Sequence, residues 1–201
     1  MRHYFISQEH ESGDYFNINH NFDGKNFVFK SCSDVFSKNQ VDYGSLVLIK
    51  SVIENKEIFS GNYLDMCCGY GPIGIILSKY LDGRFSFADV NKTASHLTEE
   101  NCKKNGVNAE KVYTSDMFAS VDGNFNHIFS NPPIKTGKSK LFEFIDGSFE
   151  HLHNNGTLTL VIKKNLGEES LKKYIISKFG NCEIWQRDKG YYILHTTKTM
   201  S

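Results

Sequence analysis

The spacing of apolar residues changes character along this chain. In Tyr15-Phe16-Asn17-Ile18-Asn19 and Asn26-Phe27-Val28-Phe29-Lys30, apolar and polar positions alternate on either side of Asp23-Gly24. That pattern predicts a β-hairpin closed by a tight Asp-Gly turn. Leu46, Ile49, Val52 and Ile53 then recur at helical spacing, predicting a helix over Tyr43–Glu54. From residue 62 the two periods take turns. Strands are predicted near 63–67, 84–89, 111–114, 126–130 and 157–163, and helices over 72–81, 93–105, 140–153 and 168–179. Pro72 sits where a first-turn proline is tolerated, and Gly106 closes the second of these helices. Two last strands, 183–187 and 191–196, are joined by Asp188-Lys189-Gly190, a second tight turn.

Alternating strands and helices imply an α/β fold, a mainly parallel sheet with helices on both faces. The terminal hairpin forces at least one antiparallel strand into it. Residues 1–40 read as a β-hairpin extension packed on the core, and 41–201 as the principal domain. In such sheets ligands bind beyond the carboxyl ends of the strands, so the residues after each strand carry the most information.

Composition narrows the class. The chain has 201 residues, 39% of them hydrophobic, with 16 Phe and 10 Tyr, which is a packed globule rather than a disordered chain. Zero formal net charge excludes indiscriminate, histone-like coating of nucleic acid. The aliphatic runs are too short for a signal peptide or a membrane span. Cys32, Cys67, Cys68, Cys102 and Cys182 make an odd set without a C-x-x-C pair, so the expectation is reduced thiols in a cytoplasmic protein. His151 and His153, two residues apart, point to different helix faces, and no metal is expected.

Candidate chemistry begins after the first strand of the alternating region. Gly69, Gly71 and Gly74 spell G-x-G-x-x-G between strand and helix. Glycines there let the chain turn sharply and a ligand approach the backbone. Asp89 follows twenty residues after Gly69, where a carboxylate can accept the hydroxyl protons of a ribose. This suits a dinucleotide or S-adenosyl-L-methionine. Three details favour the second. Asp65, at the strand end, suits an ammonium group and repels a pyrophosphate. Asp116 follows the third strand, where it can take an adenine amino group. Asn131-Pro132-Pro133 has no role in hydride transfer.

In Asn131-Pro132-Pro133-Ile134, the two prolines fix two φ angles and remove two N–H donors. The turn presents acceptors, the Asn131 side-chain oxygen and the Pro132 carbonyl, which complement an exocyclic amine with its two N–H donors. Gripping both protons aims the nitrogen lone pair at a third point. A sulfonium methyl held there would need mainly positioning for in-line transfer.

Together these residues resemble a class I S-adenosylmethionine-dependent methyltransferase. Within that group they resemble the small methyltransferase domain of the RsmC-like family, which methylates guanine N2 in small-subunit ribosomal RNA. Val35-Phe36-Ser37-Lys38, Val41 to Ser45, Asp65 to Gly74, Asp89-Val90-Asn91, Asn131 to Lys135, Gly137-Lys138 and Asp188 to Leu194 carry the likeness. It covers the chain from about residue 15 onward. The resemblance implies a Rossmann-like class I methyltransferase fold with a seven-stranded sheet. It also implies that Asp65, Cys67, Gly69 and Gly71 flank the methionine part of the cofactor, with Gly44 and Ser45 near its amino-acid end. Asp89 with Val90 would hold the ribose, and Asp116 with Met117 would frame the adenine. Asn131 and Pro132 would be catalytic, and Pro133 and Ile134 would complete the grip on the base. Cys67 stands where the family usually has glycine, and full-length members carry two tandem domains. The implied partner is ribosomal RNA or the small ribosomal subunit, with no membrane and no metal.

Ile134 offers apolar contact without a π-face, which points to guanine or to stacking supplied elsewhere, for example by Phe36. Lys135, Lys138 and Lys140 follow the substrate turn, and Lys163-Lys164 end the next strand on the same rim. Residues 1–100 hold nine Lys/Arg against thirteen Asp/Glu, whereas 101–201 hold fourteen against ten. The zero net charge thus conceals a basic rim suited to a phosphate backbone. Cys67 and Cys68 read as packing residues beside a cofactor, and His127 as a satisfied core residue. The alternatives are a methyltransferase acting on a protein glutamine or a small molecule, an NAD-dependent oxidoreductase, and a non-catalytic cofactor-binding module.

Overall fold

A computed structural model describes residues 14–33, 35, 40–133, 137–164 and 167–199. Asp23 and Gly24 both take left-handed φ, 49° and 75°. Two such residues make the tight turn whose twist matches the flanking strands, so β1 (Tyr15–Phe22) folds back on β2 (Lys25–Cys32). Lys189 and Gly190, at φ 44° and 80°, close the second hairpin in the same way. It joins β8 (Glu183–Asp188) to β9 (Tyr191–Thr197).

Between the hairpins lie α1 (Tyr43–Glu54), β3 (Gly61–Met66), α2 (Pro72–Leu77), β4 (Gly83–Asp89) and α3 (Lys92–Lys104). They are followed by β5 (Ala109–Thr114), β6 (Phe125–Ser130), α4 (Lys138–His151), β7 (Leu152–Lys163) and α5 (Glu168–Phe179). A seven-stranded sheet runs β5-β4-β3-β6-β7-β9-β8, and β9 alone runs against its neighbours. The strand order reverses between β3 and β6, which opens a crevice at their carboxyl ends.

Alternation along each strand sends side chains to two cores. Tyr63, Phe85, Phe87 and Phe129 face α1, α2 and α3, while Leu64, Ile128, Leu158 and Leu160 face α4 and α5. Ile18, Phe22, Phe27 and Phe29 of the first hairpin belong to the former core. The outer edge of β2 is completed by side chains of α3 rather than by a strand. Asn101 accepts from the Lys30 amide (2.7 Å) and donates to the Lys30 carbonyl (2.9 Å). Asn105, one turn on, does the same for Val28 (3.0 and 2.9 Å). Asn101 also donates to the Tyr70 carbonyl in the glycine loop (2.9 Å), tying hairpin, helix and loop together.

Two helices differ from the sequence pattern. α2 stops at Leu77 rather than reaching 81, because Lys79 and Tyr80 already bond three residues back, as tight turns do. α4 stops at His151 rather than 153, and β7 begins at once. The Lys198 ammonium takes the Phe149 and Leu152 carbonyls (2.7 and 2.8 Å), while Asn155 and Gly156 pair with the Lys198 backbone (each 2.8 Å). A residue nearly fifty positions away thus ends the helix.

Candidate active site

The carboxyl ends of five strands, β3 to β7, the glycine loop and the start of α1 converge on one cavity of about 670 Å³ at the switch point. Part of its wall is built by the β3–α2 connection. Gly69 (φ 59°) and Gly71 (φ 89°) take left-handed conformations that favour glycine. Gly74 serves packing instead, since a Cβ there would run into the Phe87 ring. Asp89, at the end of β4, accepts from the Gly69 amide (2.8 Å) and the Asn91 amide (2.9 Å). The carboxylate therefore shapes the glycine loop while facing the cavity. Cys67, Val90, Asp116 and Met117 line the same space.

Asp65 does not line it. Its side chain is fully buried behind the loop, Oδ2 accepts from the Gly74 amide (2.8 Å), and Oδ1 has no partner. Burial pushes this carboxyl up to about 7, with Asp89 raising it further and the Gly74 amide opposing. Asp116 stands on the rim, paired with Lys140 at 3.2 Å. Gly44 is also off the cavity wall: a Cβ there would come within 2.7 Å of the Tyr191 ring, which does line it. Gly71 caps α2 rather than facing the cavity.

Asn131, Pro132 and Pro133, just past β6, line the same cavity as the glycine loop. The Asn131 amide is held at its nitrogen: Nδ2 donates to Asp42 Oδ2 (2.9 Å) and to Ser45 Oγ (3.0 Å). Both N–H donors are used, so Oδ1 is the end available to accept a donor. Asp42 also caps α1 by accepting from the Ser45 amide (3.1 Å). Sequence reasoning included Ser45 but gave Asp42 no role. The Asp42-x-x-Ser45 spacing is legible as a helix cap, but its link to Asn131 spans 89 positions.

Of the basic rim, Lys140 and Lys163 line the cavity, and Lys163 sits over the Tyr191 ring at 5.4 Å. Lys138 starts α4 on the exposed surface, outside the cavity wall. Phe36, Ile134 and Lys135 lie outside the described residues. The thiols are not activated nucleophiles. Burial pushes Cys67 up to about 12 and Cys68 well above its ordinary value, with neighbouring carboxylates adding to both. Cys67 takes left-handed φ (60°) where a glycine would be at ease. His127 is a core residue, its Nε2 accepting from Ser60 (3.2 Å) and its Nδ1 bonding Thr157 (2.8 Å). Among the described residues, no helix is long and apolar enough to cross a membrane, and no cluster of metal-ligating side chains occurs.

S-adenosylmethionine fits this donor set. Asp89 offers carboxylate oxygens to the cavity, the loop backbone at Gly69 leaves room where a Cβ would meet only Val35 at 3.9 Å, and Asp116 with Met117 offers an acceptor and an apolar wall.

Comparison with known proteins agrees. The family described as "Methyltransferase small domain" matches residues 26–195. A Bacillus subtilis (strain 168) relative, "Uncharacterized protein YbxB", is 40% identical over 177 residues, covering 87% of each chain. A ribosomal RNA small subunit methyltransferase C of Haemophilus influenzae (strain PittEE) is 33% identical over 114 residues, which are 56% of this chain and 33% of that protein. The solved Thermus thermophilus 16S rRNA N2 G1207 methyltransferase (RsmC), in complex with AdoMet and guanosine, has a TM-score of 0.82 at 20% identity. The match covers 92% of this chain and 50% of that one. The chain thus spans half or less of these ribosomal RNA methyltransferases, and at that identity the structural likeness speaks to the fold, that of a class I methyltransferase.

Proposed function

Because this chain belongs to the methyltransferase small-domain family, we propose that it transfers a methyl group from S-adenosylmethionine to guanine N2 of small-subunit ribosomal RNA. One observation carries the reading. The Asn131-Pro132-Pro133 turn and the glycine loop with Asp89 line a single cavity. A base amine and a nucleoside-bearing cofactor would meet there.

When bound, S-adenosylmethionine supplies an electrophilic methyl on a positively charged sulfur. The protein's contribution is positional. Asp89 and the Gly69 backbone would hold the nucleoside end, and Asp116 and Met117 would bound the adenine. Asn131 Oδ1 and the Pro132 carbonyl accept the two N–H bonds of the amine, leaving its lone pair aimed at the methyl. Transfer to that lone pair would form the N–C bond as the C–S bond breaks, the electron pair leaving on sulfur. The methylated nitrogen then gives up a proton readily, so no strong base is needed in the cavity. The relative named ribosomal RNA small subunit methyltransferase C supports ribosomal RNA as the substrate, the guanosine named with the solved Thermus thermophilus structure is in keeping with guanine, and Lys163 on the cavity wall suits a phosphate backbone.

The test is to incubate the protein with labelled S-adenosylmethionine and either small ribosomal subunits or naked ribosomal RNA, then map the modified base. Label on guanine N2 is the expected result; label only on protein glutamine or a small molecule refutes the target. Asn131→Ala should abolish turnover while cofactor affinity, measured by calorimetry, stays nearly intact. Normal methylation by that variant would remove Asn131 from the mechanism.

A further inference from the structure

The Asn131 amide has two ends of opposite character, and only one suits an amine. Rotated by half a turn, it would aim N–H groups at the amine's own N–H groups. We propose that Asp42 is the positioning residue that forbids this rotation and so commits the cavity to donor-bearing substrates. The inference rests on the reading of Asn131 above and adds the group that orients it.

A carboxylate accepts hydrogen bonds and cannot donate them. With Nδ2 at 2.9 Å from Asp42 Oδ2 and 3.0 Å from Ser45 Oγ, the observed orientation satisfies both neighbours. The flipped amide would set its oxygen against the Asp42 oxygen at the same distance, two acceptors with no hydrogen between them. Asp42 is itself held. It is the N-cap of α1, with φ −58° and ψ 138°, and the same Oδ2 accepts from the Ser45 amide at 3.1 Å. One oxygen thus anchors the first turn of α1 and aims the turn after β6. Asp42 faces the cavity, so its effect is delivered at the reacting end.

The experiment compares Asp42→Ser and Asp42→Asn, assaying methylation of ribosomal RNA together with thermal melting. Serine keeps the helix cap but is too short to reach Asn131. Losing one charge-assisted bond should lower kcat by about ten- to a hundredfold, with the KM for S-adenosylmethionine unchanged within about twofold. Melting should stay near wild type. Asparagine can place one carbonyl oxygen where Oδ2 was and accept from both Ser45 and Asn131. It should restore kcat to within about threefold of wild type. If Asp42→Ser destabilises the fold, the ratio of kcat between the two variants, taken below both melting transitions, reads the same effect.

Full activity in Asp42→Ser overturns the proposal. So does an Asp42→Asn enzyme as poor as Asp42→Ser, which would move the role to the carboxylate's charge. Asn131→Ala separates this failure from failure of the parent reading. An active Asn131→Ala enzyme sinks the amine grip itself. An inactive one beside a normal Asp42→Ser enzyme sinks only the positioning role.

Discussion

Asp89 has a structural role beside a proposed one. Its distance to the glycine loop suggests a ribose acceptor. The structure adds that its oxygens also hold the Gly69 and Asn91 amides. Asp89→Ala should therefore loosen the loop as well as the ribose contact, and cofactor affinity measured by calorimetry should fall about a hundredfold; an unchanged affinity would exclude the role. Buried ionisable groups set the acid limb of stability. Burial holds His127 down to about 4 and His195 to about 3, with His127 a second cause at His195. Both are neutral in the fold and bind protons more readily once unfolded. They favour the folded state above about pH 6.5, and this contribution is lost as pH falls toward 4 and 3. Asp65, raised to about 7, works the other way, favouring the fold below its unfolded value near 3.8 and losing that effect as pH rises through 7. Melting followed from pH 7 to 5 should show a fall set by the histidines and partly offset by Asp65. In Asp65→Asn the offset should disappear; an identical profile would contradict the assignment. The orphaned Asp65 oxygen and the Asp42–Asn131 contact could not be read from the sequence, since both depend on which strand ends the sheet brings together.

At the scale of elements, both hairpins and the order of strands and helices were legible because each carries its own local signal. Asp23-Gly24 and Lys189-Gly190 accept left-handed φ, and the apolar period switches cleanly between strand and helix. What escaped were ends decided from afar, as where Lys198 terminates α4. The α3 asparagines are a similar case. Their polar side chains look like an ordinary solvated helix face, yet Asn101 is fully buried and makes three bonds to backbone groups of β2 and the glycine loop. Asn101→Ala should cost about 3 kcal/mol in denaturant unfolding, because buried amide and carbonyl groups lose their partners. A loss under 1 kcal/mol would show that water replaces them. Gly74 adds a tight spot, where α2 meets the Phe87 ring.

For the molecule as a whole, charges of both signs meet at the cavity. Asp89 and Asp116 line it together with Lys140 and Lys163, and Asp116 pairs with Lys140. If the proposed RNA substrate is right, kcat/KM should fall as salt rises. Lys163→Ala should reduce that log–log slope by about 0.7, the amount for one single-strand phosphate contact. A slope unchanged by the mutation would show that Lys163 meets no phosphate.

The asparagine pair on α3 has a further consequence, for the order in which the chain assembles. Lys30 and Asn101 are 71 positions apart, so clipping β2 to α3 closes a long loop and is favoured only once both pieces exist. The Tyr70 carbonyl depends on the same side chain. Docking of the N-terminal hairpin and support of the glycine loop therefore meet in one side chain, which couples the earliest part of the chain to the cavity wall.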